Sequence, residues 1–185
     1  MKLSESNFPF ITNAVLRGNI DMVFDHILVL TAFGESKDYS KEAKSSFRKS
    51  IIIHTAAIVE GLLFYLLDIK FKEDDIEEFY SSWELEEKKV LYVVEEGRYE
   101  VIAGNFVKKP GKGAKKKLNL AQITNYLREK KIINNEIESG IDKIRRLRNE
   151  QHIGLHETIK TYNKSDLEEA FSIAREVKEF VRNNL

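Results

Sequence analysis

Cysteine is absent from this 185-residue chain, and proline and glycine are scarce, at two and nine residues. Without cysteine there can be no disulfide, no thiolate nucleophile and no cysteine-held metal. With so few turn-forming residues, long uninterrupted helices are favoured. No apolar run approaches the roughly 18 residues of a membrane span, so none is expected. The opening Met1-Lys2-Leu3-Ser4-Glu5 has an early acid and no apolar signal core, and a cytoplasmic address follows as the expectation. Nor does one sign of charge dominate. Lys+Arg 30 offset Asp+Glu 30 for a formal net charge of +0, which excludes a chain-wide electrostatic grip on a polyanion and leaves only local patches. Length and composition together predict one mainly α domain over residues 1–185, with a core large enough to be stable by itself.

Apolar spacing then divides the chain. Residues 1–7 read as a frayed leader. From about 8 to 33, Ile11, Val15, Ile20, Val23, Phe24, Ile27, Leu28 and Leu30 recur at helical intervals, with Gly18-Asn19 a point of division and Gly34 a stop. His26 falls within that packed pattern as a structural histidine. A longer helix is predicted over about 40–71. Its middle is apolar nearly all round, as suits a central or interface helix. His54 reads there as structural. Glu60 is different, because an unpaired buried carboxylate costs several kcal/mol. It must find an ionic partner or line a cleft, and both readings stay open.

Residues 72–89 are rich in Asp and Glu and predict a short solvated helix anchored by Phe79, Tyr80 and Trp83. The period next changes to that of strands. Val90–Val94 and Tyr99–Ala103 flank Glu95-Glu96-Gly97-Arg98, a β-hairpin that needs support from helices or a partner. The hairpin and the following lysine-rich loop are expected as an insertion over residues 88–118. That loop, Val107–Lys117, only superficially resembles a phosphate loop, for the Gly-Lys-Ser/Thr ending is missing and no helix starts directly after it. Lys112, Lys115, Lys116 and Lys117 can meet RNA phosphates there, or simply solubilise a loop tip. An amphipathic helix over about 119–130, another from Asn134 or Asn135, and a last one capped by Ser165-x-x-Glu168 complete a bundle of about five to six helices.

The second of these three carries the densest chemistry. On a helical wheel, Arg145, Arg148, Asn149, His152 and His156 share a sector of roughly 100°, beside an apolar stripe of Ile144, Leu147 and Leu155. His152 and His156 are spaced to chelate a metal from one face. The zinc-protease motif, however, needs glutamate where Ile153 stands, and no third ligand is evident, so neither metal nor cofactor is expected. The same groups suit metal-independent RNA cleavage. Histidine titrates near neutrality and can move the protons of a 2′-hydroxyl attack. Arginine is permanently charged and forks onto phosphate oxygens. Asn149 can orient the histidine or the substrate. An inert, charged helix face remains the alternative from spacing alone.

Arg148-Asn149-x-x-His152, late in a helix and followed by a final capped helix, resembles the signature of HEPN domains. The helix Phe47–Leu63, an Ala/Leu-rich run containing Glu60, is similar to the long helix of that superfamily. The resemblance covers about residues 40–71 and 119–185. It implies a HEPN-like helical bundle with an inserted β-hairpin, dimerising to bring two Arg/His motifs into one cleft. It further implies an endoribonuclease needing no metal, in a toxin–antitoxin or antiviral-defence setting, or an inactive relative that binds RNA or protein. Arg148 and His152 would be the catalytic pair, with Asn149 beside them and Glu60, Arg145 and His156 supporting. RNA, a second copy of the chain and an antitoxin or neighbouring-gene protein are the implied partners, with no membrane. The family pattern has four to six residues between Arg and His, whereas three separate Arg148 from His152. Arg146 would satisfy the count but points about 120° away on an ideal helix.

Overall fold

A computed structural model describes residues 6–111, 115–149 and 161–185, except for the side chain of Lys116. Within them lie six helices and one antiparallel hairpin, so the chain is mainly α. Chain contacts gather into two compact units, residues 1–70 with 119–185, and residues 71–118.

In the first unit, α1 (Ala14–Glu35) starts where the Asn13 side chain accepts from the Leu16 amide, a standard N-cap. It runs straight through Gly18-Asn19, so the expected division does not occur. Ile20 and Ile27 are buried there and hold the helix across that weak point. The chain before it is fastened rather than frayed from residue 6 on. The Asn7 amide donates to Asp21, the Thr12 amide donates to the Tyr65 hydroxyl, and that hydroxyl donates to the Phe10 carbonyl. The next helix, α2 (Lys41–Lys70), is the hub. Eleven of its residues, from Ile51 to Leu67, are buried. It is long and apolar enough to cross a bilayer, yet most of its apolar stretch is spent on neighbouring helices of the same unit.

The second unit contains α3 (Glu73–Phe79), β1 (Ser82–Glu95) and β2 (Tyr99–Lys109). The acidic stretch thus ends its helix about ten residues sooner than its charge suggested. Trp83 and Leu85 alternate with Glu84 and Glu86, and this period-2 pattern extends the strand back to Ser82. Trp83 does not anchor that stretch, being 65% exposed. The strands pair from Ser82 with Lys109 to Glu95 with Tyr99. Their register shifts after Glu86, where Glu87 takes a positive φ of 52° and the bulge is braced by Asn105 donating to its carboxylate. Gly104 faces this bulge because a Cβ there would stand 2.5 Å from the Glu86 carbonyl oxygen. Along the hairpin, Lys109 pairs with Glu86, and Lys108 with Glu78 of α3. Most of its large apolar residues remain exposed, among them Leu91, Tyr92, Val93, Val94 and Phe106.

The first unit resumes with α4 (Leu120–Glu129), capped reciprocally by Asn119 and Gln122, and α5 (Asn135–Asn149). The last helix, α6 (Lys164–Asn183), begins one position before Ser165. Its capping box is Asn163 with Asp166, not Ser165 with Glu168, since asparagine is as good an N-cap as serine and an acid stands three residues after it. Ser165 instead donates its hydroxyl to Asn163. Gly140 of α5 lies close to Ile173 of α6, and both α5 and α6 also pack on α2.

Where α1 crosses α2, the His26 and His54 rings lie 4.7 Å apart. Burial, and secondly the neighbouring His26, hold the His54 imidazole below its ordinary value of 6.5. The unfolded chain therefore takes up a proton at His54 more readily than the folded one. This contribution to stability is fully present above 6.5 and is lost as the pH falls from there toward the lower folded value. Urea midpoints taken at about pH 7.5 and about pH 5.5 should accordingly differ less in His54→Gln than in the parent chain. Equal differences in the two proteins would show that His54 carries no such linkage.

Candidate functional site

The site is built on facing positions of α2 and α5. Ile141 and Ile144 are fully buried and seat α5, which turns Arg148, one further turn along, toward α2. There its guanidinium Nη1 donates to Glu60 Oε2 at 2.8 Å. The carboxylate that sequence required to find a partner or a cleft has found this arginine, 88 residues away in the chain. The two side chains are only 27% and 31% exposed, so water screens the pair less than it would on an open surface. Arg148 takes no other partner among the described residues, which leave most of its five N–H donors to an anion.

Its neighbours divide by direction. Arg145 lies half-buried and turns back along its own helix, with Nε and Nη2 both 3.1 Å from Asp142 Oδ1. Asn149 is exposed beside Arg148, and Arg146 is exposed as well. His152 and His156 lie outside the described residues, as do Glu150 and Gly154. The structure thus brings together Arg148 and Glu60, leaves Arg145 to Asp142, and is silent on both histidines.

The lysine cluster belongs to the second unit. Lys115–Lys117 form a single 3-10 turn. Lys115 is not on an exposed loop as expected but is buried, and its amide donates to the Glu73 carboxylate at 2.9 Å. A carboxylate on α3 draws this backbone inward, which no local feature of a Gly/Lys run announces. Lys117 is exposed, Lys112 lies outside the described residues, and so does the side chain of Lys116.

One contributor escaped the sequence reading. Arg48 of α2 donates to the Tyr162 carbonyl, and Ser45 accepts from the Tyr162 amide. These bonds fix Tyr162 against α2. The partners are more than a hundred positions apart, and neither lies in a local motif. Comparison of the chain with known families, with curated proteins and with solved structures finds no match.

If the Glu60–Arg148 pair anchors α5 on α2, the two residues must be energetically coupled. A cycle of Glu60→Gln, Arg148→Gln and the double variant, followed by urea denaturation, should give a coupling of about 1 kcal/mol, as for a half-buried ion pair. Additive effects would mean that the contact holds nothing.

Proposed function

We propose that the protein is a metal-independent endoribonuclease of HEPN type, acting as a homodimer with Arg148, Asn149 and His152 at the cleft. The observation that carries this reading is the 2.8 Å contact between Arg148 and Glu60. It joins the arginine of the Arg148-Asn149-x-x-His152 motif to the acid of the Phe47–Leu63 run. Glu60 fixes the direction of the guanidinium, and the donors it leaves over suit the extra negative charge that an RNA phosphate gains during attack by its 2′-oxygen. His152 would move the protons of that attack, and a second copy of the chain would bring a second such pair. Toxin–antitoxin or antiviral defence is the setting this chemistry fits, with an antitoxin-like neighbour as a regulating partner and the cytoplasm as its place.

A second reading, an inactive module of the same descent that binds RNA or protein, is favoured by one observation. The hairpin holds Leu91, Tyr92, Val94 and Phe106 each more than half exposed, and exposed apolar patches of this kind commonly mark interaction surfaces.

The two readings part on turnover. Purified protein incubated with RNA in EDTA should release fragments ending in 2′,3′-cyclic phosphate. Arg148→Ala and His152→Ala should each abolish release while far-UV circular dichroism stays that of the parent. Cleavage that survives both substitutions excludes the proposed site. An absence of cleavage, with RNA binding that weakens as salt rises and on neutralising Lys116 and Lys117, selects the binding module.

A further inference from the structure

Helix α6 carries four cations, and they fall into two groups. Lys164 pairs with Glu168 and Arg182 with Glu179. Arg175 and Lys178 have no carboxylate partner among the described residues. Three positions apart on the helix, they stand on one face. Both line a half-open cavity of about 420 Å³ between α1, α2, α6 and the segment before α1. Its other walls are apolar, formed chiefly by Phe8, Phe24, Ile58 and Phe171. Thr31 and Thr55, which also face it, have spent their hydroxyl protons on the Ile27 and Ile51 carbonyls of their own helices. The Lys178 ammonium lies 4.7 Å from the centre of the Phe8 ring, which holds the charge at the edge of the apolar floor.

From this arrangement we infer that the cavity binds a small amphiphilic carboxylate, a single hydrocarbon body ending in one anionic group. The volume is that of a small-molecule site rather than of a groove for a helix or a bilayer surface. The apolar walls reward burial of a hydrocarbon body, and they offer no donor that a polar body would need. The two unpaired cations provide the charge complement for the head group, with Arg175 exposed to receive it and Lys178 fixed above Phe8. This inference is independent of the ribonuclease reading, for it uses none of the residues assigned there.

The test is calorimetric titration of the whole chain with decanoate, decan-1-ol and decyltrimethylammonium, each below its micelle concentration. Decanoate should bind saturably at one site per chain. The alcohol should bind roughly tenfold more weakly, about the worth of one charge-assisted contact, and the cation more weakly still. Arg175→Gln with Lys178→Gln should bring decanoate down to the alcohol's affinity and leave the alcohol unchanged. Ala174→Phe, which fills the cavity, should weaken both. Decanoate and decanol binding alike, decanoate indifferent to the double variant, or no saturable binding at all would each overturn the inference.

Discussion

The constraint on which this structure rests is the burial of α2. A helix apolar nearly all round cannot be stable with one face in water, so it has to be enclosed, and α1, α4, α5 and α6 all pack on it. The enclosure is not wholly apolar. Between Ile51 and Leu67 the helix carries Glu60, whose charge is expensive to shelter without a counter-ion. Arg148 supplies that counter-ion, and in doing so it fixes which turn of α5 meets α2. Apolar contacts such as Ile141 and Ile144 tolerate sliding by a turn, since another aliphatic side chain would fill the same space. A carboxylate and a guanidinium held at 2.8 Å do not. Burial thus supplies the attraction, and the ion pair sets the register.

How far the chain was legible from its sequence follows from which of these forces is local. The helix around Ile51–Leu67 could be read from its long apolar run and that of Leu120–Leu127 from its amphipathic spacing, signals written within a few residues. The start of β1 could not. Glu84, Glu86 and Glu87 give it the composition of a solvated helix, and only the alternation of Trp83 and Leu85 with the acids signals a strand. The last capping box was misplaced by two residues because Ser165 and Asn163 are both good caps, and the choice between them depends on the acid at Asp166. At the site, sequence could require that Glu60 find a partner but could not name it. Lys115 shows the converse: a residue in a run of lysines is buried because Glu73, 42 positions earlier, accepts its amide.

The two units also differ in how they treat apolar surface. In the first, the large aliphatic residues of α2 are almost entirely enclosed. In the second, two strands have no third strand among the described residues to share their load, and residues on both faces of the hairpin remain open to solvent. A two-stranded ribbon is marginal in water, so cross-strand pairs and ionic contacts have to stabilise it locally. The Lys109–Glu86 and Lys108–Glu78 pairs, the braced bulge at Glu87 and the turn at Gly97 are those contacts. None of them covers Leu91, Tyr92, Val94 or Phe106. The chain has thus specified the hairpin's shape while leaving its apolar surface unspent, which is the opposite of what it does with α2.

The Glu60–Arg148 pair has a further consequence for the proposed chemistry. A guanidinium free in a cleft offers an anion its full charge, but one facing a carboxylate offers a dipole with a cationic end. Resting affinity for phosphate is lower for the paired arginine than for a free one. In exchange, its orientation is fixed before substrate arrives and needs no reorganisation during reaction. Such an arrangement favours the state in which negative charge is greatest. In the proposed reaction the charge added as the phosphate becomes five-coordinate is attracted by the guanidinium and repelled by Glu60. The net gain therefore rests on the guanidinium lying nearer to the phosphate than the carboxylate does. In that reaction, pairing Arg148 with Glu60 exchanges ground-state grip for direction, beside the structural task of neutralising a sheltered carboxylate.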